Sequence, residues 1–158
     1  MQDPRTVRLS PHFTLAEFIA SPTAKARGID NSMPAIFIPA ARTLCVEVLE
    51  PVRAHFGRAV VLNSGFRCTA LNLAVGSSEA SQHGKAEAAD IEVPGVSNYE
   101  VARFVCETLK FDQVILENYR RGIPDSGWVH VSYRAGRLRH SILTKLIGER
   151  GYRQGLLK

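Results

Sequence analysis

The chain is 158 residues long, 45% hydrophobic and 22% charged, with a net charge of +5. That length fits one domain with a core that needs no disulfide staples, and no run approaches the ~18 apolar residues of a membrane span. Cys45, Cys68 and Cys106 are odd in number and widely spaced, which excludes a disulfide framework or a Cys-based zinc site and leaves buried free thiols.

The chain opens on Met1-Gln2-Asp3-Pro4-Arg5, a polar start without the parts of a signal peptide, so synthesis in a cytoplasm without a signal is expected. Thr14-Leu15-Ala16-Glu17 has the spacing of a capping box and predicts a short helix. A second, Pro22 to Arg27, ends at Gly28. The main helix runs from Pro39 to Phe56: Leu44, Val48 and Val52 make one apolar face, Pro51 predicts a kink, and Gly57 ends it.

Val60-Val61-Leu62 reads as a short buried strand closed by the turn Ser64-Gly65. Thr69 to Val75 is helical with Gly76 as its stop, and Ala88 to Val93 is a strand. Asn98 caps a helix to about Lys110 with Val101, Phe104, Val105 and Leu109 on its buried side. Three strands follow, at 113–117, 128–133 and about 137–143. Their connections are too short for crossover helices, so antiparallel pairing is expected. The result is an α+β chain, helices on one face of a small antiparallel sheet, with a core at about 9–144 and a weakly specified tail at 145–158.

Three residues carry the chemistry. His83 lies in Ser81-Gln82-His83-Gly84, Asp90 ends the small-residue run Ala86-Glu87-Ala88-Ala89-Asp90, and His130 sits in Trp128-Val129-His130-Val131-Ser132. Singly, they read as a loop histidine, a strand-end carboxylate and a satisfied histidine. Together, two imidazoles and a carboxylate match a catalytic zinc site, which uses three protein ligands and leaves one position open. Alternation sets Val129 and Val131 on one face of their strand and Trp128, His130 and Ser132 on the other.

These motifs, with Ser64-Gly65-Phe66-Arg67, Leu71-Asn72, Ala74-Val75-Gly76, Ala88-Ala89-Asp90-Ile91 and the opening Leu9 to Phe18, resemble the zinc D-Ala-D-Ala peptidases. That family shares a fold with the hedgehog signalling domain, and the likeness is to its bacterial and phage branch. It spans about Leu9 to Tyr133. The resemblance implies one zinc ion on His83, Asp90 and His130. It implies that Arg67 holds the substrate's terminal carboxylate or polarises its carbonyl, and that Ser81 and Trp128 border the substrate. Many relatives carry the general base three residues before the last zinc histidine; here that position is Gly127. Glu117, ending the strand Val114-Ile115-Leu116, is then the first choice of base, and Asp125 the second. Ala86 also departs from the family's usual Gly, which strains the loop holding His83 if that site needs positive φ.

The activity implied is zinc-dependent hydrolysis of peptidoglycan peptides by a monomeric DD-carboxypeptidase or endopeptidase. Without a signal, a phage or prophage product such as an endolysin acting on the wall is the natural context. The alternative is a non-catalytic zinc-containing wall-binding or structural module of the same fold. The positive charge suits a polyanionic wall. The basic residues, densest at Arg134, Arg137 and Arg139 and at Lys145, Arg150 and Arg153, form no nucleic-acid-reading motif, so no specific nucleic acid partner is expected.

Overall fold

The computed structural model describes residues 3–158; Met1 and Gln2 of the polar start lie outside the described residues. Helices α1 (Leu15–Ile19), α2 (Pro22–Arg27), α3 (Ile38–Leu44), α4 (Glu50–Phe56), α5 (Thr69–Ala74) and α6 (Asn98–Thr108) accompany eight strands. Strands β1 (Arg8–Ser10) and β2 (Phe13–Thr14) form a small ribbon. Strands β3 (Val61–Ser64), β4 (Ala88–Glu92), β5 (Gln113–Tyr119), β6 (Trp128–Ser132), β7 (Ser141–Leu146) and β8 (Arg153–Gln154) form the main sheet, in the order β3-β4-β6-β5-β7-β8. None of the described helices is long and apolar enough to cross a membrane.

Local signals account for several helix ends. Thr14 and Glu17 make the reciprocal capping box of α1, and Gly28, left-handed at φ 62°, closes α2. Ser97, not Asn98, caps α6 by accepting the Glu100 N–H. Both residue types cap well. Asn98 is instead buried, and its amide donates to the carbonyls of Asp125 and Gly127, tying down the loop before β6. The kink expected at Pro51 takes the form of a π-helical turn over Cys45–Leu49 between α3 and α4. Proline lacks the N–H that would continue the ladder, and the wider turn absorbs the break just before it.

The sheet departs from the antiparallel expectation at one strand. Strands β5 and β6 pair antiparallel, but β7 pairs parallel to β5 on its other edge. Sequential strands were expected to be neighbours; here β6 and β7 run in opposite directions with β5 between them. The link 133–140 passes over the start of β5, so a short connection suffices. It is pinned there by Asp112, whose carboxylate accepts from the Arg139 backbone and guanidinium and whose carbonyl accepts from Ser141 N–H. The strand placed at 137–143 accordingly lies at 141–146. The tail read as weakly specified is ordered: β8 pairs antiparallel with β7.

One apolar core lies between the helices and one face of the sheet. Ala89, Ile91, Val114, Leu116, Val129 and Val131 project into it, against Leu44, Val48, Val52, Val101 and Val105. Each of those strand residues alternates with one on the opposite face, where Asp90, Gln113, Ile115, Glu117, Trp128 and His130 border a cleft. Of the three free thiols, Cys45 is buried and the other two half-buried. Burial pushes Cys45 and Cys106 up to about 12, so neither is a ready thiolate.

Candidate metal centre

His83 is delivered by a tight turn at Gln82–Lys85. The Ser81 hydroxyl accepts the His83 N–H at 3.4 Å, and Ala86 closes the turn at φ 56°. The strain anticipated at Ala86 is therefore present, since a left-handed backbone disfavours any side chain. The turn feeds directly into β4, which carries Asp90. Asp90 stands opposite His130 on β6, and His130 opposite Ile115 on β5.

Three donors converge. Asp90 Oδ1 lies 3.1 Å from His130 Nδ1 and 3.4 Å from His83 Nε2, and the ligand atoms all fall within 4.8 Å of one another. Two donors bound at ~2.0–2.1 Å to a tetrahedral ion stand about 3.3 Å apart, so this spacing suits zinc. His83 is only 1% exposed, and its Nδ1 is 2.7 Å from the Gly65 carbonyl. A carbonyl only accepts, so Nδ1 carries the proton and Nε2 presents a lone pair. That Nε2 is buried without a hydrogen-bond partner. Such an orphan is costly unless something coordinates it. Burial holds the His83 imidazole below its ordinary pKa, which keeps it neutral, as a metal ligand must be. For Asp90, burial works toward protonation. The adjacent His83 and His130 rings more than offset it and hold the carboxyl below its usual range.

The centre opens into a cavity of about 660 Å³ lined by Arg67, Ser81, Glu117 and Trp128 as well as His83, Asp90 and His130. Seven of the eight candidate site residues from the sequence, all but the second-choice base Asp125, thus line one cavity. Glu117 pairs across the ladder with Trp128, two positions from His130. Burial raises its carboxyl above the ordinary value, with the nearby Asp90 charge adding to that. Arg67 Nε is buried and unpartnered, and burial lowers its guanidinium pKa while Asp90 and Glu117 pull it back up. Asp125 is elsewhere, in a separate cavity of about 390 Å³ with Val61, Glu92 and Asn98.

Gly127 explains the missing acid three residues before His130. A Cβ there would stand 1.8 Å from the Glu117 carbonyl oxygen, and φ is 69°. No side chain fits. The backbone at 127 packs against β5 where its register shifts between Leu116 and Tyr119 and Asn118 turns left-handed at φ 51°. A bulge of this kind re-aims side chains and is common beside active sites.

With this geometry in place, the comparison with family models is decisive: the model described as Peptidase M15 matches residues 11–132. The chain belongs to the Peptidase M15 family. These are zinc-dependent metallopeptidases, so the substrate is a peptide and the His-Asp-His cluster is a group that could hold the metal. No curated protein matches the chain.

The family match ends at Ser132, so it takes in the three candidate ligands but not the crossover or the β7–β8 hairpin. Two cleft residues come from those later segments and were not anticipated. Arg139 reaches the cleft from the crossover, and Tyr152 from the turn before β8. Nothing local marks Tyr152. Only the pairing of β8 with β7 brings it to the cleft edge, beside Lys145.

Proposed function

We propose that this M15 protein hydrolyses peptide bonds in bacterial peptidoglycan, as a carboxypeptidase at a terminal D-Ala or as an endopeptidase between stem peptides. His83 Nε2, Asp90 and His130 Nδ1 are the residues that would hold zinc. Bound there, zinc supplies a Lewis acid for the scissile carbonyl and lowers the pKa of water toward ~7. The observation that carries the reading is the buried, unpartnered His83 Nε2 facing Asp90 in the cleft that also contains Glu117.

Glu117 is the proton carrier in this scheme. Its carboxylate takes a proton from the attacking water and passes it to the leaving amine, and a pKa raised by burial suits both halves of that task. Arg67 offers a guanidinium fork to the substrate's carboxylate or carbonyl, with a buried Nε still free to donate. Ser81 fixes the His83 turn and forms part of the wall, and Trp128 supplies a flat apolar surface opposite Glu117. A phage-type wall-degrading role fits a basic protein working on an anionic wall.

The test is to incubate the protein with purified peptidoglycan, with chelator and then with zinc restored, and to weigh the products by mass spectrometry. Zinc-dependent loss of D-Ala identifies a carboxypeptidase, and separated stem peptides an endopeptidase. A zinc-loaded, folded protein that leaves several wall types intact overturns the reading and makes this a binding module.

A further inference from the structure

The crossover between β6 and β7 carries three arginines, Arg134, Arg137 and Arg139, none of which the proposed chemistry uses. Together with Lys85 from the His83 turn they ring a depression of about 160 Å³, whose only acidic members are Glu87 and Asp112. Asp112 is spoken for. It accepts two guanidinium bonds from Arg139 at 2.8 Å and one from Gln82 at 2.8 Å, which ties the loop to the start of β5. Glu87 lies 3.9 Å from Arg134, a loose pair at the rim. Lys85 and Arg137 form no salt bridge with any described residue. The depression therefore keeps an excess of positive charge, four basic side chains against two carboxylates, one of them engaged by Arg139.

Its position gives that charge a use. Ala80, Gln82 and Arg139 line both this depression and the catalytic cleft, so the two are continuous. A peptide seated at His83, Asp90 and His130 and running past Gln82 enters the depression with its next residues. We infer that the depression is an anion subsite that takes a free carboxylate of the substrate peptide away from the scissile bond, held by Arg134, Arg137 and Lys85. The enzyme thereby selects acidic over amidated peptides. A guanidinium pair is suited to a carboxylate and gains little from a neutral carboxamide.

The inference rests on the peptidase reading for the choice of probe. The probe is synthetic acyl-γ-glutamyl-lysyl-D-alanyl-D-alanine, made with the glutamyl carboxyl free or as its carboxamide. Binding is followed by the fluorescence of Trp128, the chain's single tryptophan and a cleft residue, in zinc-loaded Glu117→Gln protein so that turnover does not interfere. The free acid binds about fivefold tighter than the amide, the scale of a partly exposed ion pair, and the preference fades at high salt. It disappears when Arg134→Gln and Arg137→Gln are added, both at exposed positions, while affinity for the amide is kept. Equal affinities, no binding of either peptide, or a preference that survives the double change each overturn the subsite. Failure of the peptidase reading looks different: unsubstituted, zinc-loaded protein releases nothing from either peptide or from purified peptidoglycan while the binding preference remains.

Discussion

The two faces of the central sheet are built from the same strands and obey opposite rules. On the helix side Ala89, Ile91, Val114, Leu116, Val129 and Val131 are dry and closely packed. On the cleft side the alternate residues Asp90, Glu117 and His130 are titratable, and the His83 beside them leaves a polar atom unpartnered. One face supplies stability. The other spends part of it to hold charged groups out of water, as functional sites commonly do. Substitutions on the two faces should therefore separate cleanly into losses of activity and losses of stability.

The largest effect is expected at Asp90. Asp90→Ala should lower zinc affinity by more than about a hundredfold, beyond what residues behind the ligands are worth, and reduce hydrolysis to background. Elemental analysis and mass spectrometry of fragments released from peptidoglycan check both. Next is Glu117→Gln, which should cut kcat by about 10²–10⁴ with zinc content unchanged. Because burial raises the Glu117 pKa, the wild-type rate should fall as pH drops through that raised value, where the base takes up its proton. The folded carboxyl protonates more readily than the unfolded one. Ionised Glu117 therefore costs stability above its folded pKa and costs none below its unfolded pKa. Glu117→Gln should accordingly melt higher than wild type at neutral pH, and the gap should close in acid.

On the dry face, Leu116→Ala adjoins Glu117 in sequence but points the other way. It should cost about 2–5 kcal/mol in denaturant unfolding and leave kcat/KM of the folded fraction unchanged. If activity falls in proportion to stability, the two faces are not independent. A smaller effect tests the pinned crossover. The hydrogen bonds from Arg139, joined by that from Gln82, hold Asp112 at about 2. That contribution, about 2 kcal/mol, is present above the unfolded carboxyl value and should be lost as pH falls from about 4 to 2. Asp112→Asn should remove that part of the acid sensitivity. The smallest effect is at Ala86. Ala86→Gly relieves a left-handed residue but removes a buried methyl, and the two nearly offset, within about 1 kcal/mol.

The helix-facing half of this division was legible in the sequence. Alternation about His130 and the four-residue spacing of Leu44, Val48 and Val52 identify core residues because burial imposes a period on the chain. The Thr14-Glu17 capping box and Gly28 stop were legible for the same reason, being local. The metal set was suggested by residue type, by the short small-residue run between His83 and Asp90 and by alternation about His130, whereas the roles of Arg67 and Ser81 came from resemblance. What escaped was non-local. Strand β5 inserts between β6 and β7, so neighbours in sequence are not neighbours in the sheet, and Tyr152 reaches the cleft edge only because β8 pairs with β7. The absence of an acid at 127 became intelligible only once the Glu117 carbonyl was seen to occupy the space.

The central claim is that the polar face holds one zinc ion on His83, Asp90 and His130 and works through Glu117. The most direct measurement is zinc per chain and release of peptide fragments or D-Ala from purified peptidoglycan, taken together for wild type, Asp90→Ala and Glu117→Gln. The account predicts one zinc with turnover, no zinc without turnover, and one zinc without turnover, in that order. Turnover by metal-free protein, or an undiminished rate in Glu117→Gln, would contradict it.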